Sequence, residues 1–263
     1  MFNLTKELRS IARDAGAAIM AIYNTASDIE IELKGDDSPL TKADTAANDI
    51  ICKGLEALEV KYPIISEENK LLPYIERKNF THCWMVDPLD GTKEFIKKNG
   101  EFTVNIALIE QNEVVLGVVY APALDEMYWA EKDNGAYSFH SGKEAKLNAS
   151  EFRMTDKGLR VVCSRSHLNE ETQAFVDALI QPELVAKGSS LKFLILANKG
   201  ADIYPRIAPT MEWDTAAAQI ILEEAGGEVV QYKTTEKVKY NKENLLNPFF
   251  VARGTLTDSK LVL

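Results

Sequence analysis

The stretch WMVDPLDGTKEF, residues 84–95, decides how this chain reads. Apolar residues run up to Val86 and end on Asp87; a second carboxylate follows at Asp90, then Gly91 and Thr92. HCWMV, residues 82–86, has the composition of a buried strand. A strand ending at Val86 delivers Asp87 to its C-terminal edge, and Pro88 stiffens the turn that brings Asp90 round beside it, with the Leu89 carbonyl free in the loop. Two adjacent carboxylates repel unless one takes up a proton or a cation lies between them. With three histidines and no closely spaced cysteines in the chain, the cation that suits is hard and oxygen-loving, Mg2+ ahead of Mn2+ or Ca2+. Gly91 and Thr92 add backbone N–H groups and a hydroxyl at the start of the next element, a place that favours phosphate. Asp, Pro and Gly are also ordinary turn residues, so the motif alone leaves a plain turn open.

Working outward, Leu4, Leu8, Ile11, Ala15, Ile19 and Ile22 recur at helical spacing and predict an amphipathic helix at the start. IEIELK alternates as a strand, GDDSP is turn-rich, and residues 42–58 repeat the helical pattern. PIIS predicts a short strand ending at Glu67. TVNIALIE and EVVLGVVYAP follow the central motif as strands of one sheet, and EMYWAEKDNGAYSF reads as a hairpin turning at Asn134-Gly135. Past residue 150 the pattern changes to a strand (LRVVCS), helical segments (ETQAFVDALI, LKFLILANKGA, DTAAAQIILEEAGG) and a strand (EVVQY). These segments predict an α/β (α+β) protein with a soft boundary near Ala149. Residues 1–149 form a sheet-and-helix half, residues 150–263 an α/β half, and both belong to one compact unit.

Composition narrows the function. A formal charge of −10 argues against binding nucleic acid polymers, which calls for a basic face, but permits a small anion held through cations. Cys52, Cys83 and Cys163 are few and scattered, which suits a reducing compartment and offers no zinc site. The start lacks a basic segment followed by an apolar one, and the longest apolar run, residues 114–124, is broken by Gly117 and Pro122. A cytoplasmic protein without a transmembrane segment is expected; oligomeric state and peripheral attachment at the inner membrane stay open.

Three further acids stand at comparable places. Glu67 follows a strand, Asp214 precedes a helix and Asp44 lies near a helix start. Each has a simple structural reading, as a loop charge, an N-cap and a first-turn acid. Spacing alone does not bring them together.

SEEN (residues 66–69), WMVDPLDGTKEF and EWDTAAAQIILEEAGG together resemble the signatures of the lithium-sensitive, Mg2+-dependent phosphatases related to inositol monophosphatase. The similarity covers nearly the whole chain, and the D-P-[apolar]-D-G-T motif is highly specific. Within that family, T-K-E-F after the glycine and the continuation to Glu110 resemble the 3'(2'),5'-bisphosphate nucleotidases. Ser189, Lys192 and Arg206 match the spacing of that branch's contacts to the 5'-phosphate side, and His167 resembles another nucleotide contact.

The resemblance implies a layered α/β/α/β/α sugar-phosphatase fold. It implies that Glu67, Asp87 and the Leu89 carbonyl hold one Mg2+, that Asp87, Asp90 and Asp214 hold a second, and that Glu67 helps to hold a third, weaker ion. Asp44 becomes the general base acting through Thr92, while Gly91 and Thr92 contact phosphate. The implied reaction is release of the 3'-phosphate of adenosine 3',5'-bisphosphate, with the sulfated nucleotide as a further candidate. An inositol monophosphatase or sugar bisphosphatase with the same metal site is the alternative. A haloacid-dehalogenase-type phosphatase is disfavoured because two residues, not one, separate Asp87 from Asp90. A non-enzymatic cation-binding protein of the EF-hand kind is disfavoured because the loop spacing does not fit.

Overall fold

The computed structural model describes residues 2–25, 31–33, 39–163 and 169–258. Two amphipathic helices, α1 (Phe2–Thr25) and α2 (Lys42–Ala57), flank a small antiparallel pair of strands, β1 (Ile31–Leu33) and β2 (Pro39–Thr41). Leu8, Ile11, Ala15 and Ile19 of α1 and Ala43, Ala47, Ile51 and Leu55 of α2 form the apolar stripes that the spacing predicts, and both stripes are buried.

They pack on a seven-stranded sheet. Its strands in spatial order are β3 (Ile64–Ser66), β4 (His82–Asp90), β5 (Thr103–Glu110), β6 (Glu113–Ala121), β7 (Glu126–Glu131), β8 (Ala136–His140) and β9 (Lys143–Lys146). Only β3 and β4 are parallel; the rest is an antiparallel meander. The one-turn helix α3 (Tyr74–Arg77) lies between β3 and β4, and α4 (Thr92–Ile96) follows β4. Asn134 and Gly135 lie in the β7–β8 turn, where Gly135 adopts φ +81°.

Short strand β10 (Glu151–Phe152) pairs in parallel with β16 (Thr255–Leu256). Between them runs a five-stranded sheet of β11 (Arg160–Cys163), β12 (Glu183–Ala186), β13 (Ile203–Arg206), β14 (Glu228–Gln231) and β15 (Phe250–Arg253), in the order β12-β11-β13-β15-β14. Helices α5 (Glu170–Asp177), α6 (Leu191–Ala197) and α7 (Ala216–Glu224) complete this half.

Strand alternation divides the interior into layers. Trp84, Val86, Ile106, Leu108 and Val118 face α1 and α2. Cys83, Met85, Ala107 and Val119 face the other way, in one core with α6, α7 and Val162, Tyr204, Phe250 and Ala252 of the second sheet. Val161, Ile203 and Val251 on that sheet's outer face pack with Phe175 and Val176 of α5 and with Leu179 just beyond it. The resulting helix, sheet, helix, sheet, helix order is the layered α/β/α/β/α architecture.

Three strands of the second sheet, β12, β13 and β15, escape the sequence reading. In β13, Pro205 argues against a central strand. It is accommodated because pairing with β11 extends only to Ile203, while Pro205 lies opposite Val251 on the antiparallel neighbour.

Candidate active site

The motif strand does not end at Val86, as the sequence suggests, but continues to Asp90. Asp87 pairs with Asn105 and Asp90 with Thr103, so three steps on β4 oppose two on β5. The extra residue makes a bulge at Pro88 and Leu89. Pro88 has no N–H to contribute, and Leu89 N–H turns back onto Asp87 Oδ1 at 3.1 Å. The bulge thus does the work assigned to a turn, placing Asp87 and Asp90 at one sheet edge. Gly91 follows at φ +93°, where a Cβ would stand 3.0 Å from the Glu101 carbonyl oxygen; only glycine suits the position.

Parallel pairing of β3 with β4 sets Ser66 beside Val86, and Glu67 N–H donates to the Val86 carbonyl at 3.1 Å. Glu67 is thereby carried to the same edge. Asp44 arrives from the first turn of α2: its Oδ2 accepts from Thr41 Oγ1 at 2.6 Å and Thr41 N at 2.8 Å, and its Oδ1 from Thr92 Oγ1 at 3.3 Å. Thr92 Oγ1 also lies 3.4 Å from the Leu89 carbonyl oxygen. Asp214 comes from the single 3-10 turn Glu212–Asp214 ahead of α7, with Oδ2 accepting from Met211 N–H at 2.9 Å. It does not cap α7, whose N-cap is Thr215.

Electrostatics ties these groups into one cluster. Burial raises the Asp87 carboxyl well above the usual range, and Glu67, Asp90, Asp214 and Asp44 push it the same way. Burial also raises Asp90, against the opposing pull of Lys192 and of hydrogen bonds from Ser190. Asp214 is pushed up to about 8 by burial and then by Asp90, with Arg206 opposing. The structure therefore places Lys192 near Asp90 and Arg206 near Asp214. Ser189 joins them: its Oγ is 3.3 Å from Thr103 Oγ1, and a Cβ on Gly91 would stand 3.2 Å from its own. His167 lies outside the described residues.

These acids suit divalent cations by chemistry and charge. The set offers only hard oxygen donors, with negative charge in excess of nearby Lys192 and Arg206, a surplus that a bound cation relieves. Among the described residues no three acidic, histidine or cysteine side chains form a ready ligand cage; Asp87, Asp90 and Asp214 rest on backbone N–H groups. A separate hollow of about 280 Å³, lined by Glu113, Gln219, Glu223 and Lys237 among others, contains none of them.

The sequence reading missed several supporting groups. Asn105, buried, donates from Nδ2 to Ser190 Oγ at 3.0 Å, and Ser190 Oγ donates to the Asp214 carbonyl at 2.8 Å. Ser66 Oγ donates to Asn48 Oδ1 at 2.7 Å, and Asn48 Nδ2 donates to Asn69 Oδ1 at 2.9 Å. The signal was available in part: Thr103 and Asn105 are polar residues at alternate positions of an otherwise apolar strand.

Residues 2–256 match the inositol monophosphatase family, and the chain belongs to it. Among its relatives, the 3'(2'),5'-bisphosphate nucleotidase CysQ of Salmonella typhimurium strain LT2 is 43% identical over 248 residues, 94% of this chain and 98% of that one. The protein of the same description from Escherichia coli strain K12 is 41% identical, covering 91% and 95% of the two chains. The crystal structure of CysQ from Bacteroides thetaiotaomicron superposes with a TM-score of 0.83 at 40% identity, over 95% of this chain and 97% of that one.

Proposed function

We propose that this chain is an Mg2+-dependent phosphatase that removes the 3'-phosphate of adenosine 3',5'-bisphosphate, giving AMP and phosphate. The observation that carries the reading is the gathering of Asp87, Asp90, Asp214 and Glu67 beside the Thr92 to Asp44 hydrogen bond. It is supported by relatives more than 40% identical that bear the nucleotidase name. Such a nucleotide is a by-product of sulfur assimilation that inhibits sulfotransferases and reductases, and its removal in the cytoplasm relieves them.

Glu67, Asp87, the Leu89 carbonyl, Asp90 and Asp214 would hold two Mg2+ ions, with Glu67 reaching a third. When bound, the ions neutralise phosphate oxygens and make water a stronger acid. The chain's own groups do the rest. Asp44 Oδ1 orients the Thr92 hydroxyl, which aligns the attacking water, and Asp44 takes up its proton. The first N–H groups of α4, at Thr92 and beyond, have no partner within that helix and hold phosphate oxygens together with Gly91. Arg206 Nε is buried without a hydrogen-bond partner among the described residues. With Lys192 and Ser189 it provides for a second anionic group, the 5'-phosphate.

The test is phosphate release from adenosine 3',5'-bisphosphate, inositol 1-phosphate and fructose 1,6-bisphosphate in parallel, with and without Mg2+. The nucleotide is expected to be preferred, and Asp90→Asn to lower turnover by roughly 100-fold or more. Preference for inositol or a sugar phosphate would keep the metal chemistry and overturn the substrate. Absence of turnover on all three would leave a cation-binding protein.

A further inference from the structure

Glu101 stands just ahead of β5 and has no role in the reading above. The residue is only 9% exposed, and its side chain reaches from the first half of the molecule to the second. Oε2 accepts a hydrogen bond from Gly188 N–H at 2.8 Å, and Oε1 lies 3.6 Å from Lys187 Nζ. Its backbone presses on the same place, because a Cβ on Gly188 would stand 3.0 Å from the Glu101 carbonyl oxygen and 3.1 Å from the Glu101 Cβ. A carboxylate is costly to bury unless hydrogen bonds repay it, and a charge-assisted bond to a buried N–H is among the stronger ones.

What this bond holds is the short segment through which the second half reaches the acids. Ser189 sits in the left-handed region at φ +41°, a conformation that persists only when its surroundings enforce it. Ser190 N–H then meets Asp90 Oδ2 at 2.5 Å, while its hydroxyl joins Asn105 to the Asp214 carbonyl. Ser189 itself comes to lie against Gly91 and Thr103. All of these contacts lie within two residues of the N–H that Glu101 holds.

We propose that Glu101 is a positioning residue: by holding Gly188 N–H it fixes residues 187–190, and through them the affinity of the site for its nucleotide. The second part rests on the functional reading above, in which Ser189 contacts the substrate. Glu101→Gln keeps an oxygen that can accept from Gly188 N–H, whereas Glu101→Ala leaves that N–H buried and unmet.

Hydrogen exchange of residues 187–190 and nucleotide kinetics on the full chain with Mg2+ test both parts. In Glu101→Ala, exchange in this segment is expected to quicken at least roughly tenfold and KM for adenosine 3',5'-bisphosphate to rise about tenfold. Glu101→Gln is expected to stay within about threefold of the parent on both. Should the alanine variant fail to fold, Glu101→Asp, whose shorter stem withdraws the carboxylate from Gly188, carries the same expectation. Unchanged exchange in the alanine or aspartate variant overturns the proposal, and so does faster exchange with an unchanged KM. If the parent chain hydrolyses no nucleotide while exchange quickens as expected, the functional reading fails and the hold on residues 187–190 stands.

Discussion

Thr41 and Asp44 form a capping box at the start of α2, with Thr41 Oγ1 also accepting from Ala43 N–H at 3.2 Å. The cap engages Asp44 Oδ2 and leaves Oδ1 to Thr92. The first-turn acid and the proposed base are therefore one residue in both roles, which is why sequence alone could not choose between them. Thr41→Val removes the hydroxyl and keeps the N–H. It is expected to cost about 1 kcal/mol in urea unfolding and to lower kcat roughly tenfold through loss of alignment. A stability loss with kcat intact would mean that the cap serves the helix alone.

At the scale of elements, α7 is seated on β6 by the absence of a side chain. A Cβ on Gly117 would stand 2.4 Å from the Ala217 carbonyl oxygen and 2.9 Å from its Cα, both backbone atoms of the helix. A rigid backbone cannot give way as a flexible side chain can, so Gly117→Ala must push the helix off the sheet. Destabilisation of about 1–3 kcal/mol is expected from such overpacking, measured by thermal or urea unfolding. Because Asp214 lies just before α7, the shift is also expected to weaken Mg2+-dependent turnover; normal stability would show that the helix moves without cost. The helix itself was plain from TAAAQIILEEAGG, but the close approach was not, since Gly117 reads as an ordinary residue of an apolar run.

Across the whole molecule, acid stability depends on buried carboxylates shifted in opposite directions. In the second sheet, burial alone would raise Asp202, but bonds from Arg160 outweigh it: Nε at 3.0 Å, NH2 at 2.6 Å and the backbone N–H at 2.8 Å. The net effect lowers its pKa below the usual value. Folding therefore gains from this group fully above the unfolded pKa of about 4, and the gain is lost as pH falls through the lower, folded value. Arg160→Met leaves burial to dominate and is expected to shrink that acid-side loss relative to the parent, read as urea midpoints at pH 7, 4 and 3. Equal losses in both proteins would show that other groups govern acid unfolding. Among the described residues no helix is long and apolar enough to cross a membrane, in keeping with the broken apolar run at residues 114–124.

What the sequence determined by itself was local. Helical spacing located α1, α2 and α7, apolar runs located β4 to β6, and the D-P-L-D-G-T motif singled out Asp87, Asp90 and Thr92 as site candidates, because periodicity, caps and tight turns are set by residues a few positions apart. Tertiary structure alone decided how these pieces meet: the bulge that carries β4 on to Asp90, Arg206 on an unrecognised strand beside Asp214, and Glu101 holding Gly188. The contacts that close the site and join its halves span 87 residues from Glu101 to Gly188, 100 from Asp90 to Ser190 and 164 from Arg77 to Asn241. Such pairs depend on which strands become neighbours in the two sheets, and that is settled by burying both faces of each sheet at once, a condition no short window of sequence contains.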